Sequence, residues 1–259
     1  MKKNILFIGY GDLGSRLASI SKDDLVITGI SRSLKPRIVP DQYHSLDWFK
    51  NPAQKVDLLK NYDCLIITLT PTSFDEAGYE KGYEEGMKLI SKLVKNISFK
   101  KSLLISSTRV YQDSEEPINE LSNINSEDFR AKSLLESEAI YSNEINSSQK
   151  TIFRLSGLYD PEMKDKIFYK QVDEFQNKLI PISSNLNRLS RDQAARIIMN
   201  FCINKTDLLL LNVSEPTVLA QERFKMLFPE KNFDDFFRID NPGKQLDISN
   251  LLKSKLLDG

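Results

Sequence analysis

The chain has 259 residues, enough for one large domain or for a domain with a small appendage. Lys and Arg together number 36, as do Asp and Glu, so no excess charge would draw the chain to a nucleic acid or to an acidic membrane surface. Hydrophobic residues make up 40% and charged residues 28% of the chain, which is typical of soluble globular proteins.

The apolar runs, the cysteines and the histidine argue against several classes of protein. Apolar runs such as 64–69 fall far short of the roughly 20 residues that cross a bilayer, and the first run ends at Gly9, too early for a signal peptide. The cysteines, Cys64 and Cys202, indicate neither a disulfide framework nor a thiolate metal site. A single histidine, His44, argues against most zinc and iron sites. We expect a cytoplasmic protein without a metal and without nucleic-acid or membrane partners.

The first two thirds of the chain alternates apolar strand-like runs with helical segments, which predicts an α/β fold with a Rossmann-type doubly wound parallel sheet. Strands are predicted at 5–8, 25–30, 63–69, 102–105 and 151–155, and helices at 12–20, 74–94 and from the N-cap Ser126 to 145. Glycine, proline and an Asn/Ser-rich stretch then interrupt the alternation. A helix at 191–201, a strand at 208–213 and helices at 217–228 and 246–257 follow. We therefore expect a larger domain, 1–155, and a smaller C-terminal region, 156–259, on the substrate side, with segments returning to the sheet.

A glycine-rich turn joins the first strand to the first helix. Gly9, Gly11 and Gly14 form Gly-x-Gly-x-x-Gly, with Asp12 and Leu13 between the second and third glycines. Gly9 permits the tight turn, Gly11 leaves the backbone open to a pyrophosphate, and Gly14 allows close packing of the helix on the strand. The strand before and the helix after the turn predict a dinucleotide site in the 1–155 domain.

The end of the second strand indicates which dinucleotide would bind. NAD-binding proteins place an Asp or Glu there, on the ribose hydroxyls, but this chain has Ser31 and Arg32. Arg32 could pair with a 2'-phosphate and stack on adenine, so NADP is favoured over NAD. A solvated arginine is the alternative interpretation. Asp47 is a candidate adenine contact or a surface-turn residue.

Later segments carry a series of motifs in a fixed order. They are 106–111 (Ser-Ser-Thr-Arg-Val-Tyr) with Pro117 and Glu120, 154–161 (Arg-Leu-Ser-Gly-Leu-Tyr-Asp-Pro), 187–194 (Asn-Arg-Leu-Ser-Arg-Asp-Gln-Ala) and 211–214 (Leu-Asn-Val-Ser). They resemble the Ser-Ser-x-x-Val-Tyr-Gly, Arg-x-x-x-x-Tyr-Gly-Pro, Asn-x-Ile-His-x-x-Asp-x-Ala and Tyr-Asn-Val-Ser/Gly segments of the extended short-chain dehydrogenase/reductases, the NAD-dependent epimerase/dehydratase family. Ser190 stands in place of the family histidine, so the sequence says little about a nucleotide-sugar site. The chain resembles an atypical member because the family's catalytic tyrosine is replaced.

The resemblance implies a catalytic serine, tyrosine and lysine, in which the tyrosine exchanges a proton with a substrate hydroxyl or carbonyl and the lysine lowers its pKa. The family serine falls on Ser107. The family's Tyr-Gly-x-Ser-Lys-x-x-x-Glu helix is similar to 128–136, where Lys132 and Glu136 match and Asp128 stands in place of the tyrosine. Lys132 would also bind the cofactor ribose.

Other candidates follow from the same resemblance. The strand-end residues Leu69 and Thr70 would line the cofactor. Among other tyrosines, Tyr111 corresponds to a framework position, and Tyr141 lies on the helix face opposite Lys132. Tyr79 and Tyr83 remain candidates that nothing in the sequence distinguishes.

Asp128 has two interpretations. It could form an i, i+4 ion pair with Lys132, worth about 0.2–0.5 kcal/mol. It could instead act as a catalytic carboxylate, although a neighbouring lysine would lower its pKa and make it a poor acid at neutral pH.

Different functions therefore remain open. One is an NADP-dependent oxidoreductase or epimerase acting on a small carbonyl, polyol or sugar-type substrate, for which we expect a cavity lined by Ser107 and by residues from 156–159. The alternative is a non-catalytic NADP(H)-binding redox sensor, and a scaffold without a ligand ranks last. By analogy with the superfamily, a homodimer would form through helices 74–94 and 126–145.

Overall fold

The computed structural model describes residues 2–52, 54, 56–114, 116–160, 166–174 and 178–257. The strands in chain order are β1 (Lys3–Ile8), β2 (Leu25–Ser31), β3 (Gln42–Ser45), β4 (Asn61–Thr68), β5 (Ser98–Ser107), β6 (Lys150–Leu155), β7 (Gly157–Tyr159), β8 (Ile180–Ser183), β9 (Asn185–Leu186), β10 (Arg188–Ser190), β11 (Leu210–Val213), β12 (Val218–Leu219) and β13 (Phe237–Asn241). The helices are α1 (Asp12–Ile20), α2 (Glu76–Tyr79), α3 (Gly86–Leu93), α4 (Phe129–Glu144), α5 (Lys166–Asp173), α6 (Arg191–Ile203), α7 (Ala220–Leu227) and α8 (Ser249–Lys253). A π-helical segment, Glu80–Glu85, lies between α2 and α3.

A parallel sheet organises the larger part of the molecule. Within the described residues its order is β11-β6-β5-β4-β1-β2-β3, with every neighbouring pair parallel. The chain winds outward from β1 in both directions, so the strand order reverses between β1 and β4. Ligands of such sheets bind in the crevice beyond the carboxyl ends of the strands at this reversal. The predicted Rossmann-type fold is confirmed.

The alternation of side chains along the strands builds a core on each face of the sheet. On β1, Ile5 and Phe7 join a cluster that also contains Leu17 of α1, whereas Leu6 and Ile8 join a second cluster with Met87 of α3. All six side chains are completely buried. Successive side chains of β1 thus point to opposite faces of the sheet, and both faces are covered, so all of these side chains are apolar.

The chain after β6 contributes to both parts of the molecule. β11 extends the main sheet, and α6 packs against α1. A separate cluster is rich in aromatic residues from α5, α7, β13 and the short 3-10 turn before β13: Phe168, Phe224, Phe233 and Phe237 are buried together there. No helix among the described residues has the length and apolar character needed to cross a membrane.

Some elements differ from their predicted bounds for local reasons. Ser126 is not the N-cap of α4: the Asn125 side chain accepts hydrogen bonds from the backbone NH groups of Glu127 and Asp128, both 3.2 Å long, and holds this stretch in a turn. Asp128 is the N-cap, and its Oδ1 accepts from the Arg130 NH at 2.9 Å. The predicted helix 74–94 is interrupted by the π-helical segment, and of the predicted last helix, 246–257, only α8 is helical among the described residues.

Candidate functional site

The glycine-rich turn has the conformation that its sequence predicts. Gly9 has a φ of +82°, and a Cβ there would overlap the Thr68 carbonyl oxygen. At Gly11 a Cβ would meet only the Gly9 carbonyl oxygen, at 3.7 Å. At Gly14 a Cβ would come within 2.6 Å of the Tyr10 ring, which packs α1 tightly onto the sheet. The turn thus presents an open stretch of backbone at the start of α1, the arrangement that accommodates a pyrophosphate.

A cavity of about 210 Å³ opens on one side of this turn; we call it the first cavity. It is lined by residues of the turn and of the ends of β2 and β4, together with two aromatic residues from the segment after β3: Gly9, Tyr10, Gly11, Ser31, Arg32, Ser33, Trp48, Phe49, Thr68, Leu69, Thr70 and Gly82. The sequence-predicted Ser31, Arg32, Leu69 and Thr70 are therefore brought together with the glycines.

Arg32 lies at the mouth of the first cavity against aromatic rings. Its guanidinium carbon is 5.7 Å from the centroid of Trp48 and 5.5 Å from that of Phe49. Its Nη2 donates a weak 3.4 Å hydrogen bond to Thr70 Oγ1. The side chain is exposed apart from these contacts, so the guanidinium is held in place yet still has donors for a ligand anion.

Asp47 does not line the first cavity. Its Oδ1 accepts from the Phe49 NH at 3.2 Å, and its Oδ2 is 3.7 Å from Lys50 Nζ. It therefore stabilises the turn that positions the aromatic wall. The indole NH of Trp48 is buried without a hydrogen-bond partner among the described residues.

A second cavity of about 430 Å³ lies on the other side of the glycine-rich turn. It shares Gly9, Gly11, Thr68, Leu69 and Thr70 with the first cavity, so the two form one continuous cleft. Its other lining residues come from α1, the π-helical segment, β5, α4, β6, β7 and α6: Asp12, Leu13, Tyr83, Ile105, Ser106, Ser107, Leu134, Leu155, Ser156, Gly157, Leu158 and Arg191.

Two serines offer polar groups to the second cavity. Ser107, at the end of β5, is half-buried, and its Oγ accepts a 3.2 Å hydrogen bond from the Arg109 NH. Ser156 follows β6, and its Oγ is buried with no hydrogen-bond partner among the described residues. Buried hydroxyls are normally hydrogen-bonded, so the unpaired Ser156 hydroxyl fits a site that a ligand completes.

A buried network supports the cavity wall from behind. Glu138 of α4 forms a bidentate ion pair with Arg154 of β6, with distances of 3.0 Å and 2.6 Å, and accepts a 2.5 Å hydrogen bond from Ser106. The Arg154 guanidinium also lies 4.9 Å from the ring centroid of Tyr111, whose hydroxyl is 2.7 Å from Asn212 Oδ1. Tyr111 is completely buried, in agreement with the framework role that the resemblance implies.

Asp128 and Lys132 lie outside both cavities. Lys132 is exposed, and the described residues show no ion pair between it and Asp128. Asp128 instead caps α4, and its Oδ2 is 4.0 Å from Arg109 Nη1. The predicted ion pair is therefore wrong, because the cap directs this carboxylate to the helix backbone.

The buried face of α4 supports a motif register two residues later than expected. Ser133 then takes the place of the motif's serine and Glu138 that of its glutamate, and both are buried. In this register Leu134, which lines the second cavity, stands where the lysine is expected, and Arg130 stands in place of the tyrosine.

Arginine and aspartate side chains surround the start of α1. Asp12 lies 3.0 Å from Arg16, 3.1 Å from Arg37 and 3.7 Å from Arg191. Arg16 also contacts Asp160, at 2.7 Å, and Asp192 of α6. These contacts join the glycine-rich turn to the C-terminal region. No group of His, Cys, Asp and Glu side chains in the described part of the chain could hold a metal ion.

Sequence reasoning missed several lining residues. Trp48 and Phe49 follow a short strand and carry no motif, and they come beside Arg32 only in the folded protein, so the sequence offered no signal for them. Arg191 lies inside the 187–194 motif at a position without an assigned role, whereas Ser156, Gly157 and Leu158 line the second cavity as expected of the 156–159 stretch. Pro161, the last residue of the 154–161 motif, lies outside the described residues.

Solved structures share this fold along almost the whole chain. A Methylobacillus flagellatus protein described as an NAD-dependent epimerase/dehydratase is 23% identical, with 97% of this chain and 91% of that chain covered and a TM-score of 0.70. UDP-glucuronic acid 4-epimerase from Bacillus cereus, solved with NAD, is 16% identical (99% and 94% covered, TM-score 0.73). UDP-N-acetylglucosamine 4-epimerase from Methanobrevibacter ruminantium, solved with UDP-N-acetylmuramic acid, is 17% identical (98% and 92% covered, TM-score 0.73).

No protein-family model and no curated protein sequence matches this chain. The structural comparisons therefore show that the chain has the fold of the NAD-dependent epimerases and dehydratases, as the sequence resemblance predicted.

Proposed function

We propose that this protein binds NADP(H) in the cleft and acts as an oxidoreductase or epimerase on a small carbonyl, polyol or sugar-type substrate. The observation that carries the proposal is the continuous cleft on both sides of the glycine-rich turn. The open backbone at Gly11 fits a pyrophosphate, and the unpaired hydroxyl of Ser156 fits a ligand in the second cavity.

The preference for NADP over NAD rests on the first cavity. Its lining at the end of β2 is Ser31, Arg32 and Ser33, with no carboxylate to bind the ribose hydroxyls. Arg32, held beside Trp48 and Phe49, is placed to donate hydrogen bonds to a 2'-phosphate and to stack on an adenine ring. The Bacillus cereus neighbour was solved with NAD, so this preference is a difference that we propose for the present chain.

The second cavity supports an enzyme better than a closed sensor. A bound nicotinamide dinucleotide would supply hydride transfer there. From its position at the end of β5, Ser107 would orient a substrate oxygen, as the family resemblance implies. Leu134 would provide an apolar wall that keeps water out of the cavity. We do not propose Lys132 or Asp128 as catalytic or cofactor-binding residues, because neither lines either cavity.

A non-catalytic redox sensor is the second candidate. The observation that favours it is Leu134 in the cavity wall, where the register shifted by two residues places the family lysine. An assay of NADPH oxidation with a panel of aliphatic and aromatic aldehydes and ketones distinguishes the two functions. An enzyme oxidises NADPH in the presence of at least one of these compounds, whereas a sensor binds NADPH and does not oxidise it with any of them.

The first experiment is calorimetric titration of the protein with NADP, NADPH, NAD and NADH. We expect NADP(H) to bind more tightly than NAD(H), and Arg32→Ala to weaken NADP(H) binding by about tenfold or more, because a charge-assisted hydrogen bond is lost. Lys35→Ala is the matched control: Lys35 is an exposed cation in the same loop that lines neither cavity. Equal affinity for NAD(H), or equal effects of both substitutions, would contradict the 2'-phosphate role of Arg32.

The homodimer through α2–α3 and α4 and the cytoplasmic location stay predictions. Sedimentation of the purified protein as a monomer would contradict the first.

A further inference from the structure

Tyr83 reaches the second cavity from an unusual stretch of helix. It belongs to the π-helical segment Glu80–Glu85 and lines the cavity together with Ser106, Ser107 and Leu134. Gly82 brings this segment against the loop after β4, since a Cβ there would lie 2.5 Å from the Pro71 Cα. Short π-helical stretches are frequent at functional sites. The π-helical turn and the close approach at Gly82 together hold Tyr83 in the wall of the second cavity.

The Tyr83 hydroxyl has no hydrogen-bond partner among the described residues. The other buried or half-buried tyrosines mostly use their hydroxyls inside the protein: Tyr10 with Ile38, Tyr43 with Ser33, Tyr62 with Leu59, Tyr111 with Asn212 and Tyr141 with Ser102. Tyr79, which is also unpaired, does not line the cavity. Tyr83 is therefore the phenol that the described structure leaves available to a cavity ligand.

The position of Tyr83 relates it to the start of α4. Its ring centroid is 5.6 Å from that of Tyr79, which in turn makes an edge contact of 5.5 Å with Phe129, the first residue of α4. The next residue, Arg130, stands where the revised register places the family tyrosine. Tyr83 therefore lies near the start of α4, linked to it through the ring of Tyr79.

The surroundings of Tyr83 keep its proton in place. Burial and, to a smaller extent, the neighbouring Tyr79 raise the pKa of Tyr83 to about 12, against a lowering effect of Arg109. In the cavity wall, Leu134 stands where a lysine would otherwise stabilise a phenolate. A phenol that stays protonated at neutral pH is suited to donate a proton and poorly suited to remove one.

We propose that Tyr83 is the proton donor of the second cavity and that the substrate is an aldehyde or ketone, which the protein reduces to an alcohol. This proposal rests on the proposed function and narrows it to carbonyl reduction. The carbonyl carbon gains a hydride, with its two electrons, from the reduced nicotinamide dinucleotide. The C=O π pair moves to the oxygen, which takes the Tyr83 hydroxyl proton, and the phenolate left behind takes a proton from water.

The test uses the charge of the nicotinamide ring as a probe of the phenol. Protein labelled with ¹³C at the tyrosine Cζ is titrated by NMR from about pH 7.5 to about 12.5, a range that spans the raised pKa of Tyr83, with saturating NADP, with saturating NADPH, and without ligand. The resonance that disappears in Tyr83→Phe identifies Tyr83. We expect its titration midpoint to be lower with NADP than with NADPH by about one pH unit or more, because the oxidised ring is a cation and the reduced ring is neutral.

Tyr79→Phe is the matched control, since it removes the neighbouring phenol that does not line the cavity, and the midpoint difference should persist in it. Turnover gives a second reading: with a carbonyl compound from the panel, Tyr83→Phe should lower kcat about 100-fold while the affinity for NADPH stays the same.

The outcomes separate the two proposals. If calorimetry shows no dinucleotide binding, the proposed function fails. If NADP and NADPH bind but the Tyr83 midpoint is the same with both, or kcat survives Tyr83→Phe, the Tyr83 proposal alone is overturned.

Discussion

Gly9 and Gly11 stand two positions apart in one turn, yet a methyl group added at each meets very different surroundings. At Gly9 it would overlap the Thr68 carbonyl oxygen, and the φ of +82° is unfavourable for any other residue. At Gly11 it would have a single backbone neighbour at 3.7 Å, so the fold can accept it. Folding and ligand binding therefore make separate demands on the two glycines.

We predict that Gly11→Ala weakens NADP(H) binding by about tenfold or more while the thermal midpoint stays within about 2 °C of wild type. Gly9→Ala should instead lower the free energy of unfolding by about 2 kcal/mol or more, because it combines strain with overlap. Calorimetry and thermal unfolding measure both effects. Unchanged NADP(H) binding by Gly11→Ala would show that no pyrophosphate rests on this turn.

At the scale of elements, α4 is held to the sheet by charge as well as by apolar packing. Glu138 and Arg154 are 6% exposed each, and their pairing raises the pKa of Arg154 despite the opposing effect of burial. Removing one partner would leave the other charge buried without compensation.

We predict that Glu138→Ala lowers the free energy of unfolding by about 3–5 kcal/mol, measured by urea denaturation. Glu136→Ala, on the exposed face of the same helix, should change it by less than about 0.5 kcal/mol. The double variant Glu138→Leu/Arg154→Met should lose less free energy of unfolding than Glu138→Leu and Arg154→Met lose in sum when measured singly, because no charge is then left unpaired. Additive losses would contradict this account of the pair.

The elements differ in how far the sequence predicts them. Strong apolar periodicity with a glycine turn before it predicts α1 with both ends correct, and the buried strands are found within a few residues. The sequence did not predict which face of α4 is buried, because the buried positions include Ser133, Ser137 and Glu138, which carry no hydrophobic signal. The π-helical segment depends on a close approach between Gly82 and Pro71, a tertiary contact that no local pattern records.

At the scale of the whole molecule, several tyrosines are buried as neutral phenols. Burial raises the pKa of Tyr10 to about 12, and it also raises the pKa values of Tyr111 and Tyr141. Above about pH 10 the unfolded chain ionises its phenols while the native protein keeps these protons. The unfolded state then binds fewer protons, so the free energy of unfolding falls as pH rises, whereas below pH 10 this contribution to stability is fully present.

We predict a loss of up to about 1.4 kcal/mol per pH unit for each such phenol, seen as falling urea midpoints between about pH 10 and 11. Tyr141→Phe should make this decline shallower by the contribution of one phenol. The substitution also removes the hydrogen bonds to Ser102 and Thr151, so it should lower the free energy of unfolding at neutral pH. A decline of the same slope in this variant would show that Tyr141 does not contribute to it.

The cleft is also a property of the whole molecule. Its walls come from the end of β2, the segment after β3, the π-helical segment, the ends of β5 and β6, and the start of α6. The glycine motif and Arg32 were visible in the sequence because one short segment carries each. Trp48, Tyr83 and Arg191 become neighbours of the cleft only through the order of the strands.

Cys64 of β4 and Cys202 of α6 lie with their sulfur atoms 4.0 Å apart, and both are completely buried. Burial holds the pKa of the Cys64 thiol well above its usual range, so the reactive thiolate is scarce in the folded protein. A water-soluble alkylating dye would therefore react with these sulfurs only when the main sheet and α6 come apart. The rate of dye incorporation would follow opening of the native state, and the protein contains this reporter without any engineered label.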